Sequence, residues 1–323
     1  MAPTGGGTGP ARVVALDVGG SSMKGAVVTA AGSVVAEQRR PTGAGSGTDH
    51  LVDGIVDLLE HLVQEAVRGG GRPAAVGLVV PGIVDEREGI ARYSVNLHWQ
   101  DLPLRDIVQS RIHLPVAFGH DVRAGGYAES VLGAGRGFGD CLFLALGTGI
   151  SGAMVLAGRP YSGARGRAGE IGHLQVEQGG VACACASRGC LETVASAAAI
   201  AGRYSRRSGT PTGLGAANVA QLAAGGDIIA LEVLAQAVEA LSVALTAYIS
   251  LLDPELVVLG GGLGQAPPEL LLEPLREDVR SRLSFQQLPS FATAELGDAS
   301  GCLGAALLAL ELAGLREAGP LCS

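Results

Sequence analysis

Residues 12–29 read RVVALDVGGSSMKGAVVT. An apolar β-branched run ends in Asp17, a turn of two glycines and two serines follows, and a second apolar run begins at Lys24. Residues 33–38 add a third short run, so the opening predicts a three-stranded meander. The pattern restarts at residue 141: CLFLAL (141–146), then GTG (147–149), then AMVLA (153–157). Each stretch is a strand, a small-residue turn bearing hydroxyls, and a strand. Two such units point to two related α/β halves facing each other, although any two glycine-rich hairpins look alike at this level.

Working outward, residues 49–68 place Leu51, Ile55, Leu58, Leu59, Leu62 and Val63 at helical spacing. Residues 74–80 and 116–119 read as buried strands, 104–111 as a short helix and 123–132 as a longer one. After a cysteine-rich loop the remainder is mostly helical: 193–207, 216–224, 227–252, 268–283 and 301–315, with a strand at 255–259 running into Gly260-Gly261-Gly262. Strands alternating with helices predict an α/β fold.

Composition narrows the function classes. Aromatics are 3%, so Ala, Val, Leu and Ile must build the core. The 51 glycines follow no G-X-Y period, which excludes collagen and leaves tight turns and close backbone approaches. A net charge of −8 argues against broad nucleic-acid binding. Lys24 is the only lysine, and it lies in the first glycine turn. The longest apolar stretch, 231–252, carries Glu232, Gln236 and Glu239 and reads as a buried helix rather than a membrane span. Residues 1–12 read as a floppy leader without a signal pattern, so the expected location is cytoplasmic.

Several motifs carry chemistry. Asp17-Val18-Gly19-Gly20-Ser21-Ser22 with Lys24 offers backbone N–H groups, hydroxyls and a cation to phosphate, and a carboxylate to Mg²⁺; the plain alternative is a hairpin turn. The spacing is not that of a Walker A loop. Thr148-Gly149 is a second candidate phosphate turn, and Gly260-Gly261-Gly262 a candidate nucleoside platform. Three glycine turns after apolar strands, spread over two halves, imply a nucleotide cleft.

The most specific signal is His173 followed by Cys183, Cys185 and Cys190, a closed Cys₃His set suited to tetrahedral structural Zn²⁺. A disulfide frame fits poorly, because three cysteines leave one unpaired. Cys141 and Cys302 read as core fillers, and Cys322 lies in a tail. Glu170 and Glu192 flank the cluster; a metal-pinned loop would hold them as rigid acceptors for polyol hydroxyls, whereas unpinned they would be solvated surface groups. Asp121, after His120 at a strand end, reads first as the N-cap of the following helix and second as a general base.

These residues together resemble the ROK family of bacterial sugar kinases, within the actin-like ATPase superfamily. The resemblance runs over residues 13–312 and is carried by LDVGGSSMKG (16–25), PGIVD (81–85), NLHW (96–99), HDVRAGGYAE (120–129), LGTGISG (146–152), GEIGH (169–173), CACASRGCLE (183–192) and VVLGGG (257–262). It implies a two-domain actin-like ATPase (ribonuclease H-like) α/β fold with a hinged interdomain cleft. Residues 12–119 plus the helix 301–315 would form a small domain, and 120–300 a large one with the zinc loop 173–190. ATP would lie across both glycine turns, with its adenosine near Gly260 to Gly262. Asp121 would deprotonate the 6-hydroxyl of a hexose, with Glu170, His173, Glu192 and His120 as hydroxyl partners and Gly82 and Asn96 bordering the pocket. His173 would place one ring nitrogen on zinc and the other toward sugar.

Three positions depart from the family pattern. His120 stands where Asn is usual, and Ala186 where Gly is usual, a small change unless that residue needs a positive φ. Ser151 replaces a glycine or alanine without evident cost. The implied substrate is glucose first, then N-acetylated hexosamines, mannose or fructose, and the implied state a homodimer or larger homo-oligomer. Two rivals remain. A sugar-responsive repressor would carry an N-terminal winged helix, and the dozen Gly-rich residues before the first strand argue against one. An inactive sugar sensor fits poorly with Asp121 and both turns in place, though His120 leaves it open.

Overall fold

A computed structural model describes residues 10–210 and 213–316. Residues 1–9 of the expected leader, and Cys322, lie outside that range. The first half runs β1 (Arg12–Val18), β2 (Ser22–Thr29), β3 (Val34–Pro41), α1 (Thr48–Arg68), β4 (Val76–Val80), β5 (Ile83–Asp85), β6 (Ile90–Ser94), β7 (Trp99–Leu102), α2 (Leu104–Ile112), β8 (Val116–His120) and α3 (Asp121–Leu132). The second runs β9 (Cys141–Leu146), β10 (Ile150–Leu156), β11 (Arg159–Tyr161), α4 (Glu192–Ala195), α5 (Ala197–Ser208), α6 (Ala216–Ala224), α7 (Ile228–Leu252), β12 (Leu256–Gly260), α8 (Gly261–Gly264), α9 (Leu272–Arg282), β13 (Ser290–Thr293) and α10 (Ser300–Leu312).

The repeat seen in the letters is a repeat in space. One sheet has the order β3-β2-β1-β4-β8, the other β11-β10-β9-β12-β13. In both, the first three strands form an antiparallel meander. In both, the first strand of the meander then pairs parallel with a fourth, and the fourth with a fifth. The fourth and fifth strands need crossovers, which the intervening helices supply.

Each sheet buries one face under its own helices. Leu51, Ile55, Leu58, Leu59 and Leu62 of α1 pack on β1 and β2, as their spacing predicts. The helices α4 to α7 and α9 cover β9 and β12. By length and composition α7 could cross a membrane, but 56% of its most apolar window is buried inside the protein. The inner faces are covered by exchange: α3 leaves the first sheet and packs on the second through Val122, while α10 leaves the second and packs on the first through Ala305, Ala306 and Ala309. Small residues let the two helices cross closely, with Gly304 against the Ala124 carbonyl.

The structure differs from the sequence reading in places. A third sheet, β5-β6-β7, was not evident from the pattern, and β10 begins at Ile150 rather than at residue 153. The helix expected over 193–207 is broken: Ser196 adopts an extended conformation and its hydroxyl accepts from Ala199 N at 3.1 Å, capping α5 anew. Cys141 and Cys302 are buried, as expected of core fillers.

Candidate functional site

The turn after β1 brings charge to a buried place. Asp17 lies opposite Lys24 in the β1–β2 register, with Lys24 Nζ 4.0 Å from Asp17 Oδ2. The same ammonium ion-pairs with Asp298 and donates to the Asp298 carbonyl at 3.1 Å. Arg39 holds the other Asp298 oxygen at 2.8 Å. At the start of α10, a Cβ on Gly301 would sit 2.5 Å from Asp17 Oδ2, so the lack of a side chain lets the helix N-terminus abut the carboxylate. Burial first, then the charge of Asp121, pushes Asp17 up to about 7, against the pull of Lys24.

At the second corner, β8 turns into α3. The cap expected of Asp121 is taken by its neighbour: His120 is the N-cap, its Nδ1 accepting from Arg123 N at 3.3 Å. Asp121 instead opens the helix and accepts from Val122 N at 2.7 Å. Its side chain, 23% exposed, faces open cleft, while the protein mass on both sides desolvates it and pushes it up to about 6. Burial, and then the Arg123 charge, hold His120 down to about 4. A neutral ring that accepts at Nδ1 carries its proton on Nε2.

The opposing wall comes from the second half. The turn at Gly147 to Gly149 is closed by Gly147 N donating to Gly149 O at 3.0 Å. The break at Ser196 frees Ala197 N to donate to Gly147 O at 2.8 Å, which ties the turn to α5. One ligand atom from each of His173, Cys183, Cys185 and Cys190 lies within 4.8 Å of the others. Cys185 and Cys190 sulfurs are 3.6 Å apart, and Cys183 Sγ is 3.6 Å from His173 Nδ1. A tetrahedron with metal–sulfur bonds near 2.3 Å has edges of about 3.7 Å, so the donor set fits Zn²⁺.

Both glutamates lie beside this cluster. Glu192 Oε1 is 3.3 Å from His173 Nδ1 and accepts from Cys183 Sγ at 3.0 Å, and Glu170 Oε2 is 3.9 Å from His173 Nε2. Thus Nδ1 faces the thiols and Nε2 faces away from them. Ala186 has φ 69°, so the position does require the left-handed conformation and an alanine there is strained.

Two cavities adjoin between the walls. One, about 440 Å³, is lined by Asp17, Gly19, Lys24, Gly261 and Gly262, with Asp298 and Gln265. The other, about 360 Å³, is lined by Gly82, Asn96, His120, Thr148, Gly149, Glu170 and Glu192. Asp121, Val122, Ala145 and Gly261 border both. Gly261 needs its φ of 75°, and a Cβ there would come within 2.5 Å of the Leu146 carbonyl.

Some expected residues are displaced from the cavities. Gly260 is enclosed against the Phe143 ring and lines neither. Gly20 faces Asn96, Ser21 accepts from Thr42 N through its carbonyl, and Ser22 Oγ accepts from Arg39 Nε at 3.3 Å. His173 stands behind the two glutamates rather than on the cavity surface. Residues missed from the sequence include Asp298, Arg39 and Gln265, whose surroundings carry no motif, and Arg123, which reads as an ordinary helix-surface arginine.

The ROK family profile matches residues 13–312. The glucokinase of Thermotoga maritima is 33% identical over 319 residues, covering 94% of this chain and 98% of its own. A ROK hexokinase structure from Thermus thermophilus superposes with a TM-score of 0.83 at 34% identity, covering 93% of this chain and 99% of its own. The ROK glucokinase of Streptomyces griseus, solved with glucose and AMPPNP, gives a TM-score of 0.79 at 27% identity over the same shares. With the family profile spanning nearly its whole length, and two sheets of one topology facing a shared cleft, this chain is a member of the ROK family.

Proposed function

We propose that the protein is an ATP-dependent sugar kinase that phosphorylates the 6-hydroxyl of a hexose, with glucose as the first substrate to test. The observation that carries the reading is the pair of adjoining cavities sharing Asp121: one has cation and glycine backbone for phosphates, the other has carboxylates and an imidazole for hydroxyls. The glucokinases among its relatives support the same reading. The division of the chain into 12–119 with 301–315, and 120–300, belongs to this proposal, since closure of two such bodies would expel water from between the cavities.

Phosphoryl transfer needs positioning and charge neutralisation more than covalent help. Lys24 would bind phosphate oxygens in the larger cavity, Thr148 and the Gly149 N–H would reach the terminal phosphate from the smaller one, and Gly261 and Gly262 would lie along the nucleoside. Asp17, a carboxylate at the end of β1 facing the phosphate cavity, fits a Mg²⁺ ligand, and the ion would supply charge neutralisation when bound. Asp121 takes the proton from the sugar hydroxyl. Its raised pKa makes it a stronger base than a solvated aspartate, while it stays ionised above about 6. Glu170, Glu192 and His120 Nε2–H orient the sugar, and zinc on the Cys₃His set is structural, holding the loop that presents Glu192.

The test is a coupled ADP-release assay with a panel of hexoses and N-acetylhexosamines, run beside metal analysis of the purified protein. Sugar-dependent ADP release from zinc-bearing protein supports the reading. Tight sugar binding with no ADP release in magnesium and ATP would replace it with a sugar sensor.

A further inference from the structure

Arg123 is a charged residue where none is expected. Its side chain is 5% exposed, and its guanidinium makes three hydrogen bonds to two separate stretches of chain. Nε donates to Glu86 Oε1 at 2.9 Å, in the turn between β5 and β6. Nη1 donates to the Ala168 carbonyl at 3.2 Å and Nη2 to the Gly166 carbonyl at 3.3 Å. Glu86 Oε1 in turn accepts from His120 N at 3.4 Å, at the corner where Asp121 begins α3. Ala168 lies two residues before Glu170, and Arg123 two residues after Asp121. One planar fork therefore joins the two walls of the smaller cavity.

We propose that Arg123 is a positioning residue of this site: its guanidinium clamps the 163–170 segment that carries Glu170 against the β8–α3 corner that carries Asp121, and thereby sets the width of the sugar cavity. The same cation favours the carboxylate form of Asp121. The charged and titratable groups facing Asp121 are Asp17 from β1, Lys24 from β2, Arg123 on its own helix, His120, neutral, from β8, and Glu170 and Glu192 across the smaller cavity. A lysine could keep the charge and one contact, but its single ammonium cannot reproduce a fork that reaches Glu86 and two carbonyls. The clamp stands on geometry alone; its kinetic consequence rests on the sugar-kinase reading.

The experiment compares wild type, Arg123→Lys and Arg123→Gln. In sugar-free protein, amide exchange over residues 166–170 should accelerate tenfold or more in both variants, because neither side chain can hold both carbonyls of the segment against Glu86. This arm decides the clamp even if no sugar is turned over, and in that event it is the proposed function that falls. With sugar and ATP, both variants should raise the sugar KM by roughly 10–100-fold, a cost of misplacement. The acid limb of the pH profile should move up in Arg123→Gln and stay in place in Arg123→Lys. If Arg123→Gln fails to fold, the lysine variant carries both arms. Unchanged exchange over 166–170, or wild-type sugar KM in Arg123→Lys, would overturn the proposal, as would an acid limb in Arg123→Gln that does not move.

Discussion

The β1–turn–β2 and β9–turn–β10 hairpins share one topology yet carry opposite chemistry. The first turn gathers charge: Asp17 buried beside Lys24, with Arg39 and Asp298 closing the group. In the second, the strand end is apolar, Ala145 borders the cleft, and the polar groups are the uncharged hydroxyls of Thr148 and Ser151 and backbone amides. Charge reaches that half from elsewhere, on Glu170 and Glu192, which stand beside a four-residue donor cluster. A repeated scaffold thus fixes where two walls face each other, and the loops decide what each wall binds. Asp121, on the helix that passes from one sheet to the other, stands where both meet.

The largest expected effect is at that meeting point. Asp121→Asn should lower kcat on the order of 10²–10⁴-fold while sugar and nucleotide still bind, as steady-state kinetics and calorimetry would show. Turnover near that of wild type would remove Asp121 as base and make the comparison one of two unconnected pockets. Next, Cys185→Ala should lose zinc and weaken sugar binding by about tenfold or more, with a smaller change in nucleotide binding. Metal content and the two dissociation constants measured together check this. Equal losses for both ligands would mean that the loop supports the whole cleft rather than one wall. Lys24→Met should act on the other wall, raising the nucleotide KM by about tenfold with little change in sugar affinity.

The two halves also meet electrostatically. The folded-state pKa of Asp121, about 6, lies above its unfolded value, so the native protein holds the proton more tightly. Its charge is therefore a cost to folding that is absent below the unfolded pKa and present in full above about 6. Asp121→Asn should accordingly be more stable than wild type at pH 7 to 8, with the gain fading toward pH 4, as denaturant titrations across that range would reveal. A gain that grows as pH falls would contradict the assignment of burial as the cause. The smallest effect is at Ala186, where glycine should stabilise the cluster loop by about 1 kcal/mol by relieving a left-handed alanine.

Much of this was legible in the letters for physical reasons. Runs such as VVALDV and CLFLAL are buried on both faces, so they stand out without alternation, and the turns between them are too small to be anything else. The Cys₃His set was legible because metal geometry restricts both residue type and spacing. The sheet β5-β6-β7 was not, since its strands are three to five residues long and half-exposed. The break at Ser196 was hidden in an alanine-rich run that favours helix on both sides. Asp121 was ambiguous until His120 proved to hold the cap. Arg123 was invisible because partners that neutralise a buried arginine, here Glu86 and two carbonyls, lie 37 to 45 residues away along the chain.

The most direct test of the two-wall account is where the phosphate lands. Wild-type protein given glucose and magnesium ATP, with the product followed by phosphorus–proton correlation spectroscopy, should yield a phosphate coupled to the two C6 protons of the sugar. A phosphate on the anomeric oxygen, or free phosphate released while the glucose stays unmodified, would contradict it.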